Sequence, residues 1–194
     1  QEYERSFSTT PGIVDSDGIV LSGSSVWIPW FGADLFTFGL SADLPVPWIS
    51  VSQGERTHHE TADGHAVSQW DCPDPMEEIY FIAAPFTEYS RTVSGVAVMA
   101  FLREPDHALA TKYLDATGQY LDLYTGLIGP YPFKKFALIE NFWETGYGMP
   151  SFTLLGPTVI RLPFILHSSY PHELLHNWWG NGVYVDYATG NWCE

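Results

Sequence analysis

Two histidines and a glutamate with the spacing of a metal site lie near the carboxyl end of the chain, in the sequence S-Y-P-H-E-L-L-H-N-W-W-G-N of residues 169–181. Residues four apart share one face of a helix, so His172 and His176 can offer two imidazole nitrogens to one tetrahedral ion. Glu173 follows the first histidine, where a carboxylate can reach a metal-bound water without binding the metal itself. Most lone histidines near aromatic residues are packed or surface side chains, but three such groups at these offsets favour a metal site with a general base.

Catalytic zinc usually has three protein ligands and one open position for water, so this site requires a third ligand. Glu194 is the candidate, because residues 177–193 are long enough to end one helix and begin another that returns a carboxylate. The interpretation at this stage is a zinc centre formed by His172, His176 and Glu194, with Glu173 as the base that takes a proton from the zinc-bound water.

Residues 169–194 resemble the gluzincin peptidases of the aminopeptidase N family, which includes leukotriene hydrolase-type enzymes. The family pattern is H-E-x-x-H-x-W-x-G-N followed by W-L-N-E, and residues 172–181 match its first part at every specified position. Residues 191–194 read N-W-C-E, with the tryptophan two residues before the glutamate rather than three, and the connection is one residue shorter. The resemblance implies that Glu194 is the third zinc ligand.

The same resemblance implies a substrate-binding segment around Gly148 and Met149. In the family a G-x-M-E-N motif lies on an edge strand, and its glutamate binds the free amine of the substrate. With Met149 on the family's methionine, Pro150 stands in the glutamate position and offers neither a carboxylate nor a backbone N–H. Glu144 or Glu140 is a possible replacement from a neighbouring position, and both are equally well explained as exposed loop carboxylates. Exopeptidase and endopeptidase action therefore both stay open.

Composition limits the partners of the protein. The 194 residues include 8 Lys+Arg and 23 Asp+Glu, and this net charge of −15 repels nucleic acid and anionic lipid surfaces. Hydrophobic residues make up 45% of the chain, as in a globular protein, and no apolar run is long enough to span a membrane. No secretory signal opens the chain, so the protein is cytoplasmic or a leader was removed. The acidic surface favours an extracytoplasmic setting, periplasmic or secreted, over the cytoplasm.

The pattern of short segments predicts an α+β fold in two domains. Residues 1–97 contain short β-branched or aromatic runs bounded by turn residues, which predicts a β-rich amino-terminal layer. Within it, the polar turn-like sequence around His58, His59 and His65 is typical of an exposed hairpin rather than a second metal cluster. Two short matches to the β-rich domain of the same family, W-I-P at 27–29 and V-S-Q-G-E at 51–55, precede the H-E-x-x-H motif.

Residues 98–194 are expected to be the start of a thermolysin-like catalytic domain, truncated at Glu194, where the resemblance places a continuing helix. A strand at 96–102 leads to a helix that begins near Pro105 and ends before Gly129-Pro130, with Gly118 as a possible interruption. A strand at 136–140 follows, then a loop at 146–151 and a strand at 152–155. The family's transition-state tyrosine would lie beyond Glu194.

The sequence thus predicts zinc-dependent hydrolysis of a peptide substrate, aminopeptidase-like in character. Two alternatives stay open: hydrolysis of a non-peptide substrate, as in leukotriene hydrolase-type enzymes, and a catalytically silent scaffold. Cys72 and Cys193 are expected to be thiols unless they meet in space to form one bridge. The side-chain preference and the oligomeric state are not specified by any motif.

Overall fold

The computed structural model describes residues 12–29, 32 and 34–184. The chain folds as two compact units, of which the first ends at Thr87 and the second begins at Glu88. This division lies ten residues before the expected boundary at 97, because the strands on either side of residue 94 pair within the sheet of the second unit. Within the described residues the secondary structure is mainly β-strand, with two α-helices.

In its described residues the first unit has seven antiparallel strands, as its short β-branched and aromatic runs predict. They are β1 Ile13–Val14, β2 Ile19–Leu21, β3 Phe36–Pro45, β4 Trp48–Val51, β5 Glu55–Ala62, β6 His65–Met76 and β7 Phe81–Pro85. One sheet has the order β1-β2-β7-β4 and another the order β3-β6-β5. Buried Phe81 and Ala83 pack with Ala42 in a core that Trp27 and Trp48 partly cover.

The β5–β6 hairpin carries the histidines at 58, 59 and 65. Its turn at Asp63 and Gly64 has two left-handed residues, with φ of 52° and 82°, as a tight hairpin requires. His65 Nδ1 lies 2.8 Å from Asp43 Oδ1, and His58 Nε2 lies 3.6 Å from Glu60 Oε2, all at exposed positions. The predicted exposed hairpin is confirmed.

The second unit contains the segments that position the motif. Its elements are β8 Thr87–Val93, β9 Val96–Leu102, α1 His107–Leu127, β10 Lys135–Glu140, β11 Gly146–Met149, β12 Phe152–Leu155 and α2 Ser169–Leu175. The sheet order is β11-β12-β10-β9-β8. β10 is parallel to both β9 and β12, and every residue of β10 and β12 is buried, as is usual for parallel strands covered on both faces.

Residues 146–149 form a strand at the edge of this sheet, which corrects the expected loop at 146–151. Gly148 pairs with Thr153, and Met149 pairs with Phe152, in antiparallel register. The two glycines and the following proline suggested a turn, but only Pro150 and Ser151 form one. Ser151 has a φ of 69°, and proline followed by a left-handed residue is the pattern of a type II turn.

Helix α1 confirms the predicted helix, with a later start. Asp106 caps it, because its Oδ1 accepts a hydrogen bond from the Leu109 N–H at 2.9 Å, so Pro105 lies before the first turn rather than in it. Gly118 does not interrupt the helix; a Cβ added there would lie 3.4 Å from both methyl groups of Val93 on β8. None of the helices in the described part of the chain is both long and apolar enough to cross a membrane.

The core of the second unit lies between this sheet and the two helices. Leucine and phenylalanine side chains of β9 and β10 contact aromatic residues of α1 and α2, including Tyr113 and Tyr170. Two short 3-10 turns, Val159–Arg161 and Ile165–His167, connect β12 to α2 and bury Ile160 and Leu166 in the same core. The helix that carries the motif is therefore attached to the most buried part of the unit.

Candidate metal centre

Helix α2 is fixed at its amino-terminal end by tyrosines of α1. Tyr170 is fully buried, its hydroxyl is hydrogen-bonded to Thr117 Oγ1, and its ring meets Tyr113 edge-on at 4.8 Å. The hydroxyl of Tyr124 donates to the carbonyl of Pro171 at 3.2 Å. These contacts leave His172 exposed at the surface while Glu173 on the next position is buried.

The two histidines of the motif face each other. Their Nε2 atoms are 3.1 Å apart, and their rings are 4.6 Å apart between centroids. With Zn–N bonds of about 2.05 Å and tetrahedral angles, two ligand nitrogens lie about 3.3 Å apart. The pair therefore has the separation that one bound zinc requires, and it is also short enough for one hydrogen bond between the rings.

The outer nitrogen of His176 selects its tautomer. Nδ1 lies 3.3 Å from the carbonyl oxygen of Trp179. A carbonyl oxygen only accepts, so Nδ1 carries the proton of this bond and the lone pair of the neutral ring is on Nε2. Such a bond from the outer nitrogen is the usual support of a metal-binding histidine.

Glu173 is only 9% exposed and lies under the edge strand. Burial raises the pKa of its carboxyl, and the neighbouring His176 and His172 lower it in part. A carboxylate with a raised pKa is a stronger base toward water. A Cβ added to Gly148 would lie 2.8 Å from Glu173 Oε2 and 2.9 Å from His176 Cδ2, so β11 passes directly over the motif.

The residues after His176 hold its end of the helix in place. The indole N–H of Trp178 is shared between the carbonyls of Gly129 and Pro130, at 3.0 and 3.1 Å. The Asn181 N–H donates to the His176 carbonyl at 2.8 Å, and the Asn181 side chain donates to the Gly148 carbonyl at 3.3 Å. The tryptophan and asparagine of the motif thus connect helix α2 to the turn after α1 and to the edge strand.

Gly148 and Met149 lie on β11, but Glu144 is bonded elsewhere. Its two carboxylate oxygens accept the backbone N–H groups of Thr158 and Val159, at 2.9 and 3.3 Å. Burial is the largest single influence and raises the pKa of Glu144, but the hydrogen bonds from Thr158 and Val159 and the charge of Arg161 together outweigh it, so the pKa is lowered. A substrate-binding role for this residue stays a prediction.

Glu140, the other carboxylate considered for substrate binding, is also bonded within the protein. Its Oε1 lies 2.5 Å from Arg161 Nη1, and its Oε2 accepts the Arg103 N–H at 3.0 Å. Its side chain is 4% exposed, so the ion pair is largely removed from water on that side.

Glu194, the predicted third ligand, lies outside the described residues, which end at 184. Within the described ranges, no group of three or more His, Cys, Asp or Glu side chains is placed to hold a metal. The described part of the site supplies two nitrogen ligands and an adjacent carboxylate, which is a donor set that suits zinc. Glu194 as third ligand stays a prediction, as does any pairing of Cys193 with the buried Cys72.

No family model matches the sequence, and no curated protein matches it at a significant level. Solved structures do match. An M1 zinc metallopeptidase from Deinococcus radiodurans has a TM-score of 0.61 and 17% identity over 76% of this chain and 35% of its own. A point mutant of a two-domain M1 zinc metallopeptidase bound to L-arginine has a TM-score of 0.60 and 16% identity over 78% of this chain.

The fold is similar to that of M1 zinc metallopeptidases. The resemblance seen in the motifs therefore extends to the course of the backbone. The chain spans about 36% of the length of the metallopeptidase bound to L-arginine, so this similarity concerns only part of those enzymes.

Three polar residues are buried near the site, and their burial was not predicted from the sequence. Lys135, Ser151 and Asn177 are at most 1% exposed. A lysine is normally expected at the surface, and no local motif marks the serine or the asparagine.

Proposed function

We propose that this protein is a zinc-dependent hydrolase that cleaves peptide bonds. The observation that carries the proposal is the 3.1 Å separation of the His172 and His176 Nε2 atoms beside the buried carboxyl of Glu173. Similarity of fold to proteins named as zinc metallopeptidases supports the same chemistry. Glu194 is proposed as the third ligand, in a thermolysin-like arrangement.

The chemistry divides between the metal and the chain. Zinc, when bound, acts as a Lewis acid that polarises the substrate carbonyl and lowers the pKa of water from 15.7 to about 7. Glu173 accepts the proton of the attacking water on a carboxylate oxygen and later delivers it to the leaving amine. Its burial raises its pKa and so strengthens it as a base. His176 keeps its Nε2 lone pair directed inward through the Nδ1 bond to Trp179.

Strand β11 is proposed to align the substrate. It is the last strand in its sheet order, and it passes over Glu173 at Gly148. An extended peptide can add to such an edge through main-chain hydrogen bonds, with the residues around Met149 beside it. A requirement for a free amine is not part of the proposal, because Pro150 replaces the expected glutamate and Glu144 is bonded to Thr158.

The test is the Glu173→Gln variant with zinc content measured on each sample. The amide keeps the size of the side chain but is not a base, so peptide hydrolysis should fall by at least about 10³-fold while one zinc stays bound. Peptides with free and with acetylated amino termini distinguish exopeptidase from endopeptidase action. Hydrolysis that is unchanged in Glu173→Gln would refute the mechanism, and a purified protein without zinc affinity would favour the scaffold alternative.

A further inference from the structure

Lys135 is a charged residue buried at the centre of the second unit. It opens β10, and its side chain is 1% exposed. Its Nζ lies 2.9 Å from Ser151 Oγ, 3.2 Å from the Ser151 carbonyl oxygen and 5.3 Å from the Phe152 ring centroid. An ammonium is strongly disfavoured in a protein interior unless dipoles and hydrogen bonds surround it. The contacts with Ser151 and Phe152 therefore offset the cost of burying Lys135.

Ser151 carries the contact onward to the metal helix. Its N–H donates to Asn177 Oδ1 at 2.7 Å, and its carbonyl also accepts the Ala137 N–H at 3.1 Å. The left-handed φ of 69° at Ser151 places these groups on the turn that joins β11 to β12. Every polar group of this residue is thus engaged with β10 or with Asn177.

Asn177 completes the connection at the end of α2. It follows the ligand His176, and its Nδ2 donates to the Leu174 carbonyl at 2.9 Å, inside the H-E-x-x-H segment. We call Lys135, Ser151 and Asn177 the buried clamp. The clamp joins a central strand, the turn of the edge strand and the metal helix by hydrogen bonds that no solvent reaches.

The clamp affects the site because β11 and helix α2 are in close contact at Gly148. The Gly148 position lies so near Glu173 that an added Cβ would be 3.2 Å from the Glu173 carbonyl oxygen and closer still to its carboxylate. A displacement of the Ser151 turn therefore moves β11 relative to the catalytic base. Displacements of about 1 Å in a reacting geometry can reduce rates by about 100-fold.

We propose that Lys135 is a positioning residue, which through Ser151 and Asn177 sets the distance between β11 and the helix that carries His172, Glu173 and His176. The catalytic consequence rests on the proposed peptidase function, but the positioning itself does not. Two measurements separate the two claims.

The first measurement is backbone hydrogen exchange in Lys135→Met, which keeps most of the length of the side chain and removes its donors. We expect the Ser151 amide and the amides of β11 to exchange about tenfold faster than in the unmodified chain, with α1 unchanged. Ser151→Ala, which removes only the hydroxyl, should have a smaller effect at the same amides. Tyr113→Phe is the control, because it removes one buried hydrogen bond, to the Ile160 carbonyl at 2.7 Å, outside the clamp. Unchanged exchange at Ser151 and β11 in both clamp variants would overturn the proposal.

The second measurement is the kinetics of zinc-loaded Lys135→Met. A peptide can still pair with the edge strand but is misaligned with Glu173, so kcat should fall about tenfold while KM stays within about twofold. Ser151→Ala repeats the test if Lys135→Met does not fold. Faster exchange in a protein that hydrolyses no peptide would uphold the clamp and reject the proposed function. A normal kcat in an active protein whose clamp variants exchange faster would reject the link between the clamp and catalysis.

Discussion

Gly148→Ala tests the close approach between the edge strand and the carboxylate of Glu173, the proposed base. The new methyl carbon would lie 2.8 Å from Glu173 Oε2, 2.9 Å from His176 Cδ2 and 3.2 Å from the Glu173 carbonyl oxygen. Carbon atoms in contact prefer at least about 3.5 Å, so the overlap with the histidine ring is about 0.6 Å. The carboxylate can rotate away, but the ring of His176 and the helix backbone have to shift with the strand.

The expected loss follows from this overlap. Overpacking by one methyl group costs about 1–3 kcal/mol, and a base displaced from its working position loses rate in the same range. We expect kcat/KM of Gly148→Ala for a peptide substrate to fall about 10- to 100-fold, which corresponds to about 1.4–2.7 kcal/mol. The assay is initial-rate hydrolysis at equal zinc content, with urea unfolding to report the free energy of unfolding.

Gly146→Ala is a matched control in the same strand. Among the residues that the structure describes, a Cβ at that position meets only Leu155 Cδ2, at 4.0 Å, and neither glycine has a left-handed backbone, so the backbone cost of the two changes is similar. Its kcat/KM should stay within about twofold of the unmodified protein. If Gly148→Ala were as active as Gly146→Ala, the strand would not approach the base as described, and the reasoning would be refuted.

Two further predictions concern stability. Trp178→Phe removes the donor to the Gly129 and Pro130 carbonyls and should lower the free energy of unfolding by about 1–3 kcal/mol in urea titrations. The control Trp179→Phe changes a residue that is 54% exposed and should alter the free energy of unfolding by less than about 0.5 kcal/mol. Equal losses in the two variants would contradict the anchoring role of Trp178. Burial raises the pKa of Tyr113 above the ordinary 10.0, so its stabilising contribution is complete below pH 10 and is lost as the pH rises further, when the unfolded chain gives up its proton first. Tyr113→Phe should therefore reduce the fall in unfolding free energy above pH 10 by about 1 kcal/mol per pH unit, and parallel curves for the two proteins would exclude this cause.

Local sequence signals predicted most of the second unit correctly. Helix α1 was marked by its apolar spacing and by Gly129 at its end, and the strands predicted at 96–102, 136–140 and 152–155 are present, although their parallel pairing was not predicted. The spacing of His172 and His176 predicted that their rings would meet, and the Nε2 separation of 3.1 Å agrees with it. Signals of this kind work because they depend only on helix or strand geometry over a few residues.

The missed features depend on contacts between distant segments. Strand β11 reads as a loop because glycine and proline normally mark turns, yet Gly148 is suited to its position by the approach of Glu173, 25 residues later in the chain. Lys135 ends the G-P-Y-P-F-K-K turn of residues 129–135, but that sequence does not predict burial, and only the fold shows that Lys135 is 1% exposed. Glu144 was considered for substrate binding, but its carboxylate bonds Thr158, which no local motif indicates.

The brevity of β11 has a consequence for how long any bound peptide stays. Alternate residues of a strand direct their N–H and C=O groups away from the neighbouring strand, so a four-residue edge offers at most about four outward groups, and the Gly148 carbonyl of this strand already accepts from Asn181. At about 1 kcal/mol net for each hydrogen bond, pairing along the whole strand contributes at most about 4 kcal/mol, which corresponds to a dissociation constant of about 1 mM or weaker. An edge of this length would release a cleaved strand quickly, and tight retention of any ligand would have to come from its side chains.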